Sequence, residues 1–149
     1  MRKFKKLTVE GVPWFKSQSF DLAKVGLTII HGRNENTPNA SSNAAGKSYF
    51  FSHLPEILLD EIPGDNRKDR QRKGSITLDL AVGKSEFQIV KDFGKPSNSR
   101  IVKDGVDLRI TSIAARKEYV QKLISRTPEE YQVLDYLDST NIRSHPLTK

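Results

Sequence analysis

The stretch that decides the fold runs from His31 to Phe51, HGRNENTPNASSNAAGKSYFF, and contains the tripeptide Gly46-Lys47-Ser48. The same tripeptide recurs at Gly83-Lys84-Ser85, within LAVGKSEF. A Gly-Lys-Ser sequence can bind the phosphates of a nucleotide, or it can form a surface turn. The segments on either side of each copy therefore have to distinguish the two roles.

The first copy lies between a predicted buried strand and a predicted helix. Residues 27–30 form an aliphatic run bounded by glycines, which is typical of a strand buried on both faces. After the polar loop 33–45, apolar residues recur at helical spacing, at Phe50, Phe51, Leu54 and Leu58. Such a loop can turn its backbone N–H groups inward, while the lysine reaches the phosphates and the serine ligates Mg²⁺. We therefore predict phosphate binding at Lys47.

The match to the phosphate-loop pattern G-x-x-x-x-G-K-[ST] is incomplete. Its first glycine falls on Ser41, and the loop carries an insertion over residues 35–42. The alternative is a long surface loop that happens to end at a helix. Pro55 is expected to kink or end that helix. The segment EILLDE, 56–61, is interpreted as the helix's continuation and end, because a parallel catalytic strand needs a longer crossover.

The second copy has the surroundings of a turn. Alternating apolar residues precede and follow it, which predicts a β-hairpin with Lys84 in the turn. A second hairpin is expected at 100–110, with Asp104-Gly105 as its type I′ turn. A helix is expected after Ser112 as N-cap, with Ile113, Val120, Leu123 and Ile124 on one face, and another after Thr127. The N-terminal part predicts one strand around Leu7 and Val9 and a short second strand over 19–25.

Composition indicates a soluble globular chain of one domain, with 149 residues, 36% hydrophobic and 29% charged. No apolar run approaches a membrane span, and no signal peptide is recognised. Absence of cysteine excludes disulfides and thiolate zinc sites, which fits a cytoplasmic protein. The net charge of +7 suggests a polyanionic partner, nucleic acid first. The densest basic segment is either a solvated loop or a DNA-phosphate contact, and comprises Arg67, Lys68, Arg70, Arg72 and Lys73.

The order FKKLTVEGVPWFKSQSFDL, GLTIIHGRN and SNAAGKSYFFSHLPEIL resembles the N-terminal lobe of the structural-maintenance-of-chromosomes class of ATPase heads. Within that class it is most similar to SbcC-type recombination-endonuclease large subunits, including bacteriophage versions. The resemblance implies an α/β P-loop NTPase lobe, with a mixed sheet and antiparallel hairpins around a P-loop helix. The whole chain, 1–149, would be one lobe: strands, P-loop and helix over 1–60, hairpins over 74–110, and a helical subdomain over 111–137.

The resemblance also implies ATP and Mg²⁺ as cofactors. Lys47 would bind the β- and γ-phosphates and Ser48 the metal ion. The neighbouring positions in the nucleotide site would be Asn43, Ala44, Ala45, Gly46 and Tyr49. Asn34 is the alternative to Asn43 when the loop is counted from the strand. Trp14 either stacks on adenine or packs in the core.

Catalytic residues are not assigned on this chain, because the family's glutamine, Asp-Glu strand and S-G-G signature have no counterpart here. The resemblance therefore implies hydrolysis only with a C-terminal head lobe, in the same or a separate chain, and a second head joined by ATP-dependent dimerisation. It further implies DNA and an SbcD-like nuclease as partners, in DNA repair or recombination in the cytoplasm of a bacterium or phage-infected host. The alternatives are a non-hydrolysing basic DNA-binding module and a small P-loop kinase.

Overall fold

The computed structural model describes residues 2–12, 15–23, 47–59 and 73–125. These residues form six strands and two α-helices, with a short 3-10 helix at Pro96–Asn98. In chain order the elements are β1 (Arg2–Val12), β2 (Phe15–Asp21), α1 (Lys47–Leu59), β3 (Ser75–Val82), β4 (Ser85–Asp92), β5 (Arg100–Lys103), β6 (Val106–Asp107) and α2 (Ile113–Ile124).

The strands form a single sheet in the order β2-β1-β3-β4-β5-β6, and every pairing between them is antiparallel. Apolar residues alternate along the central strands, so that Leu7 lies opposite Leu78 and Leu78 lies opposite Ile89 on one face. A register shift between Phe4 and Lys6 interrupts the pairing of β1 with β3. The sheet therefore has one apolar face and one polar face.

Helix α1 packs on the apolar face of the sheet, and α2 packs against α1. The centre of this core is fully buried, with Leu7, Val9, Ile76, Leu78 and Leu80 inaccessible to solvent. Helix α1 contributes Phe50, Ile57 and Leu58, and α2 contributes Val120 and Ile124. Burial of such side chains stabilises the fold by about 1.5–3 kcal/mol each, which is the main force holding the helices on the sheet.

The predicted fold class, an α/β P-loop lobe with a mixed sheet around a P-loop helix, is wrong. The described residues form a mostly β structure, an antiparallel sheet with two helices, and no parallel pair occurs among them. Strands joined by two-residue turns can only be antiparallel, as in the β3–β4 and β5–β6 hairpins. The strand predicted at 27–30, on which a parallel arrangement depended, lies outside the described residues.

Several local predictions are confirmed. Asp104 and Gly105 both have positive φ, 49° and 82°, as the type I′ turn between β5 and β6 requires. Ser112 caps α2, and its Oγ accepts a hydrogen bond from the Ala115 N–H at 3.4 Å. Helix α1 begins at Lys47 and includes Glu56 to Leu59, as expected.

Three other local predictions need correction. Helix α1 does not end at Pro55 but continues to Leu59, because burial of its apolar face offsets the hydrogen bond that proline cannot make. Strand β2 starts at Phe15, earlier than predicted. Its first residues pair with β1 but are mostly polar and exposed, so the sequence shows no apolar alternation there that would indicate a strand. Ile113 is 61% exposed instead of sharing the buried face of α2, because it lies at the helix's first position, at the edge of the core.

Glycines allow the end of β1 to approach the start of β3. Gly11 has φ +63° and Gly74 has φ +98°, a region that side chains other than glycine rarely adopt. A Cβ on Gly74 would lie 2.2 Å from the carbonyl oxygen of Glu10, which is backbone and cannot move aside easily. Glycine at position 74 is therefore required by the close contact of the two chain segments.

Candidate functional site

The candidate site is the N-terminal end of α1. The first N–H groups of any helix have no partner within the helix, and the helix dipole places partial positive charge there. Lys47 and Ser48 lie in the first turn, which contains no acidic residue. The end of α1 thus has the backbone polarity that an anion requires, without a carboxylate in that turn to oppose it.

Aromatic contacts attach this end of α1 to the edge of the sheet. Phe50 and Phe51 lie one turn into the helix, with their ring centroids 5.1 Å apart. The ring of Phe50 meets that of Phe15 edge-on at 5.5 Å, and the ring of Phe51 meets that of Phe20 at 5.1 Å. Edge-to-face pairs of this kind add about 0.5–1.5 kcal/mol beyond burial. Strand β2 therefore fixes the position from which α1 starts.

A buried polar pair lies on the next turn of α1. The Nδ1 atom of His53 and the Oε2 atom of Glu56 are 2.8 Å apart, and the two residues are 0% and 3% exposed. Buried polar groups of this type are stable only when they are hydrogen-bonded. Sequence reasoning missed this pair. The sequence signal for it is that His53 and Glu56 are three residues apart, so they share one face of a helix that is otherwise apolar in its second half.

The second Gly-Lys-Ser has a different environment. Val82 pairs directly with Ser85, so Gly83 and Lys84 form the two-residue turn between β3 and β4, and the prediction for Lys84 is confirmed. Gly83 has φ +62°, the positive value that a two-residue hairpin turn requires at its first central position and that glycine adopts readily.

The serine of this second copy is engaged in the hairpin itself. The Glu86 N–H donates to the Asp104 carboxylate at 2.8 Å, and this bond, with a further one from the Ser85 side chain, holds the pKa of Asp104 below its usual range. Ser85 thus serves to join β4 to the β5–β6 turn. Neither a helix N-terminus nor a loop that can enclose an anion is present at this copy.

Much of the predicted nucleotide site lies outside the described residues. Lys47, Ser48 and Tyr49 are brought together in the first turn of α1, where only their backbone is described. The predicted positions that lie outside are Trp14, Asn34, Asn43, Ala44, Ala45 and Gly46.

The predicted DNA-contacting segment is covered only at its end. Lys73 is exposed and leads into β3, whereas Arg67, Lys68, Arg70 and Arg72 lie outside the described residues. A second basic region is present on β1, where Arg2, Lys3 and Lys6 are exposed. Lys5 in the same strand is paired instead, with its Nζ 2.6 Å from the Glu86 carboxylate.

Two further observations concern ions and membranes. Among the described residues, no group of three or more His, Asp and Glu side chains is arranged to hold a metal ion. Neither described helix has the length and apolar character needed to cross a bilayer.

Comparison with known proteins gives no family assignment. No protein-family model matches the chain, and no curated protein matches it. The resemblance carried by residues 4–58 therefore remains an expectation from the sequence.

Proposed function

We propose that this chain binds ATP-Mg²⁺ at the N-terminal end of α1, with Lys47 on the β- and γ-phosphates and Ser48 on the metal ion. The carrying observation is that α1 spans Lys47–Leu59, so that Lys47 and Ser48 lie in the first turn of a helix. The absence of acidic residues from the first turn supports the proposal, as does the aromatic anchor on β2. Residues 43–46 and Tyr49 would complete the site, with Asn34 as the alternative to Asn43 and Trp14 stacking on the adenine.

The wider role of the site follows from the sequence resemblance. In this proposal the chain is the nucleotide-binding half of a DNA repair or recombination ATPase in the bacterial or phage-infected cytoplasm. The carboxylates for hydrolysis come from a C-terminal lobe and a second head, because no catalytic residue is assigned here. ATP-dependent engagement of two heads then regulates a partner nuclease at DNA ends.

Calorimetric titration of the chain with ATP-Mg²⁺ tests the proposal. Lys47→Ala is expected to weaken binding about 30-fold, because a hydrogen bond to a charged group contributes about 1.5–3 kcal/mol. Ser48→Ala should reduce the dependence of affinity on Mg²⁺. Lys84→Ala is the matched control, since it removes the lysine of the other Gly-Lys-Ser, and it should bind as the wild type does. Equal affinity of Lys47→Ala and the wild type would refute the proposal.

A second candidate function is a non-hydrolysing, basic DNA-binding module. The observation that favours it is the antiparallel sheet, which gives no support to a nucleotide-hydrolysing core or a small kinase. In this alternative, the exposed cations Arg2, Lys3 and Lys6 on β1 contact phosphates without sequence preference. This alternative predicts steeply salt-dependent DNA binding that Lys47→Ala leaves unchanged, together with no heat of ATP binding. If ATP binds and DNA does not, the alternative is excluded.

A further inference from the structure

A cavity of about 260 Å³ lies between the two helices and the strands β4 and β5. We call it the α1–α2 cavity. It is separate from the start of α1, because the helix contributes residues only from its C-terminal part. The apolar side chains of its lining belong to the buried core and include Ile57, Leu58, Ile89, Ile101 and Val120.

Four cations contribute to the lining of this apolar space. Lys91 comes from β4, Arg100 from β5, and Arg116 and Lys117 from α2, so three separate elements bring positive charge to one place. Arg116 is held in position, because its Nη1 donates to the carbonyl oxygens of Ile110 and Thr111 at 3.0 and 2.9 Å. Arg100 is exposed and Lys117 is half-buried, so both charged ends can meet a ligand that enters from solvent.

One carboxylate, Asp92, lies among the described lining residues, and both of its oxygens already accept hydrogen bonds within the protein. Its Oδ1 accepts from the Lys95 N–H at 2.8 Å, and its Oδ2 accepts from the Asn98 side chain at 3.2 Å. These bonds close the loop before β5 and leave Asp92 as a structural group. Among the described lining residues, cations therefore outnumber carboxylates, and this balance of charge favours an anion.

We propose that the α1–α2 cavity binds a small anionic amphiphile, a molecule with a short apolar chain and a single carboxylate or phosphate head. Ligand pockets are mostly apolar with a few polar groups that fix orientation, which is the composition found here. The apolar chain of the ligand contacts the aliphatic lining, and its charged head pairs with Arg100 and Lys117. This site is independent of nucleotide binding at Lys47.

Titration of the ¹⁵N-labelled chain with octanoate, followed by NMR, tests the assignment. The expected result is saturable shifts at the amides of Ile89, Ile101 and Val120, with 1-octanol binding at least roughly tenfold more weakly for lack of the charge. The double variant Arg100→Glu/Lys117→Glu should bind octanoate roughly tenfold more weakly than the wild type. The control Lys16→Glu/Lys84→Glu changes net charge equally on exposed residues away from the cavity and should bind octanoate as the wild type does.

Three outcomes would overturn the assignment. They are absence of saturable shifts, equal binding of octanol and octanoate, and equal loss of binding in the control variant. Vesicles of anionic lipid provide the remaining arm. Binding to vesicles by a chain that does not bind octanoate would indicate a membrane surface instead of a free ligand. If the charge-reversed variant does not fold, Arg100→Gln removes one charge without introducing the opposite one, and its affinity must still fall.

Discussion

The two copies of Gly-Lys-Ser share three residues and differ in everything that surrounds them. Gly83 and Lys84 connect two strands that pair directly, and the hydrogen bonds that hold this turn come from nearby backbone and from Asp104. Lys47 opens a helix of 13 residues whose position depends on aromatic contacts with a distant strand. A tripeptide therefore acquires its role from its surroundings: pairing of the two flanking strands determines the turn, and aromatic packing on β2 determines where the helix starts.

The largest expected effect concerns the aromatic anchor of α1. Phe50 is 5% exposed, so Phe50→Ala should lower the free energy of unfolding by about 3–5 kcal/mol. It should also weaken ATP-Mg²⁺ binding, because the start of α1 loses its contact with Phe15. Urea denaturation and calorimetry under conditions that keep the variant folded measure the two effects.

Ile124→Ala is the matched control for this prediction. Ile124 is 2% exposed on α2, so its truncation should cost about 2–5 kcal/mol and leave nucleotide affinity unchanged. If Phe50→Ala loses stability but binds ATP-Mg²⁺ as tightly as Ile124→Ala does, the aromatic anchor does not position the site.

The next effect separates a tertiary glycine from a turn glycine. Gly74→Ala places a Cβ against the backbone of Glu10 and Gly11 at a positive φ and should cost about 3 kcal/mol or more. A Cβ at Gly83 would have no heavy atom within 4 Å. Gly83→Ala should therefore lower the free energy of unfolding by only about 1–2 kcal/mol, from its positive φ alone. Denaturant unfolding of both variants decides the point, and equal losses would show that the turn is as constrained as the close approach of β1 and β3.

The smallest effect tests the local bonding of the hairpin through its pH dependence. The Glu86 N–H holds the pKa of Asp104 low, so the ionised form stabilises the fold above the unfolded pKa of about 3.9. That contribution is lost as pH falls through the lowered folded pKa. Asp104→Asn should therefore melt at a lower temperature than the wild type at pH 7, and the difference should vanish in strong acid. A difference that persists unchanged at low pH would rule out this charge as its source.

Local structure was largely predictable from the sequence, since it depends on neighbouring residues. Alternation of apolar residues gave the β3–β4 hairpin, Asp104-Gly105 gave the type I′ turn, and Ser112 gave the start of α2. Helical periodicity after Gly46 likewise placed the start of α1. In each case the physical cause lies within a few positions of the residue concerned.

The arrangement of these elements was not predictable in the same way. The α/β assignment depended on a buried strand at 27–30 and on a family resemblance, and neither fixes which strands pair or in which direction. The antiparallel sheet instead depends on the pairing of β1 with β3, two strands that are far apart in the sequence. The cations of the α1–α2 cavity come from three separate elements, so no local pattern identifies them. The spacing of His53 and Glu56 is local, but their burial depends on the packing of α1.

The most direct test of the central claim compares both copies in one sample. Addition of ATP-Mg²⁺ to the ¹⁵N-labelled chain should shift the amide resonances of Gly46, Lys47 and Ser48, since an anion at a helix N-terminus contacts those N–H groups. The amides of Gly83, Lys84 and Ser85 should not move. Shifts at the second copy equal to those at the first, or no shift at either, would contradict the account.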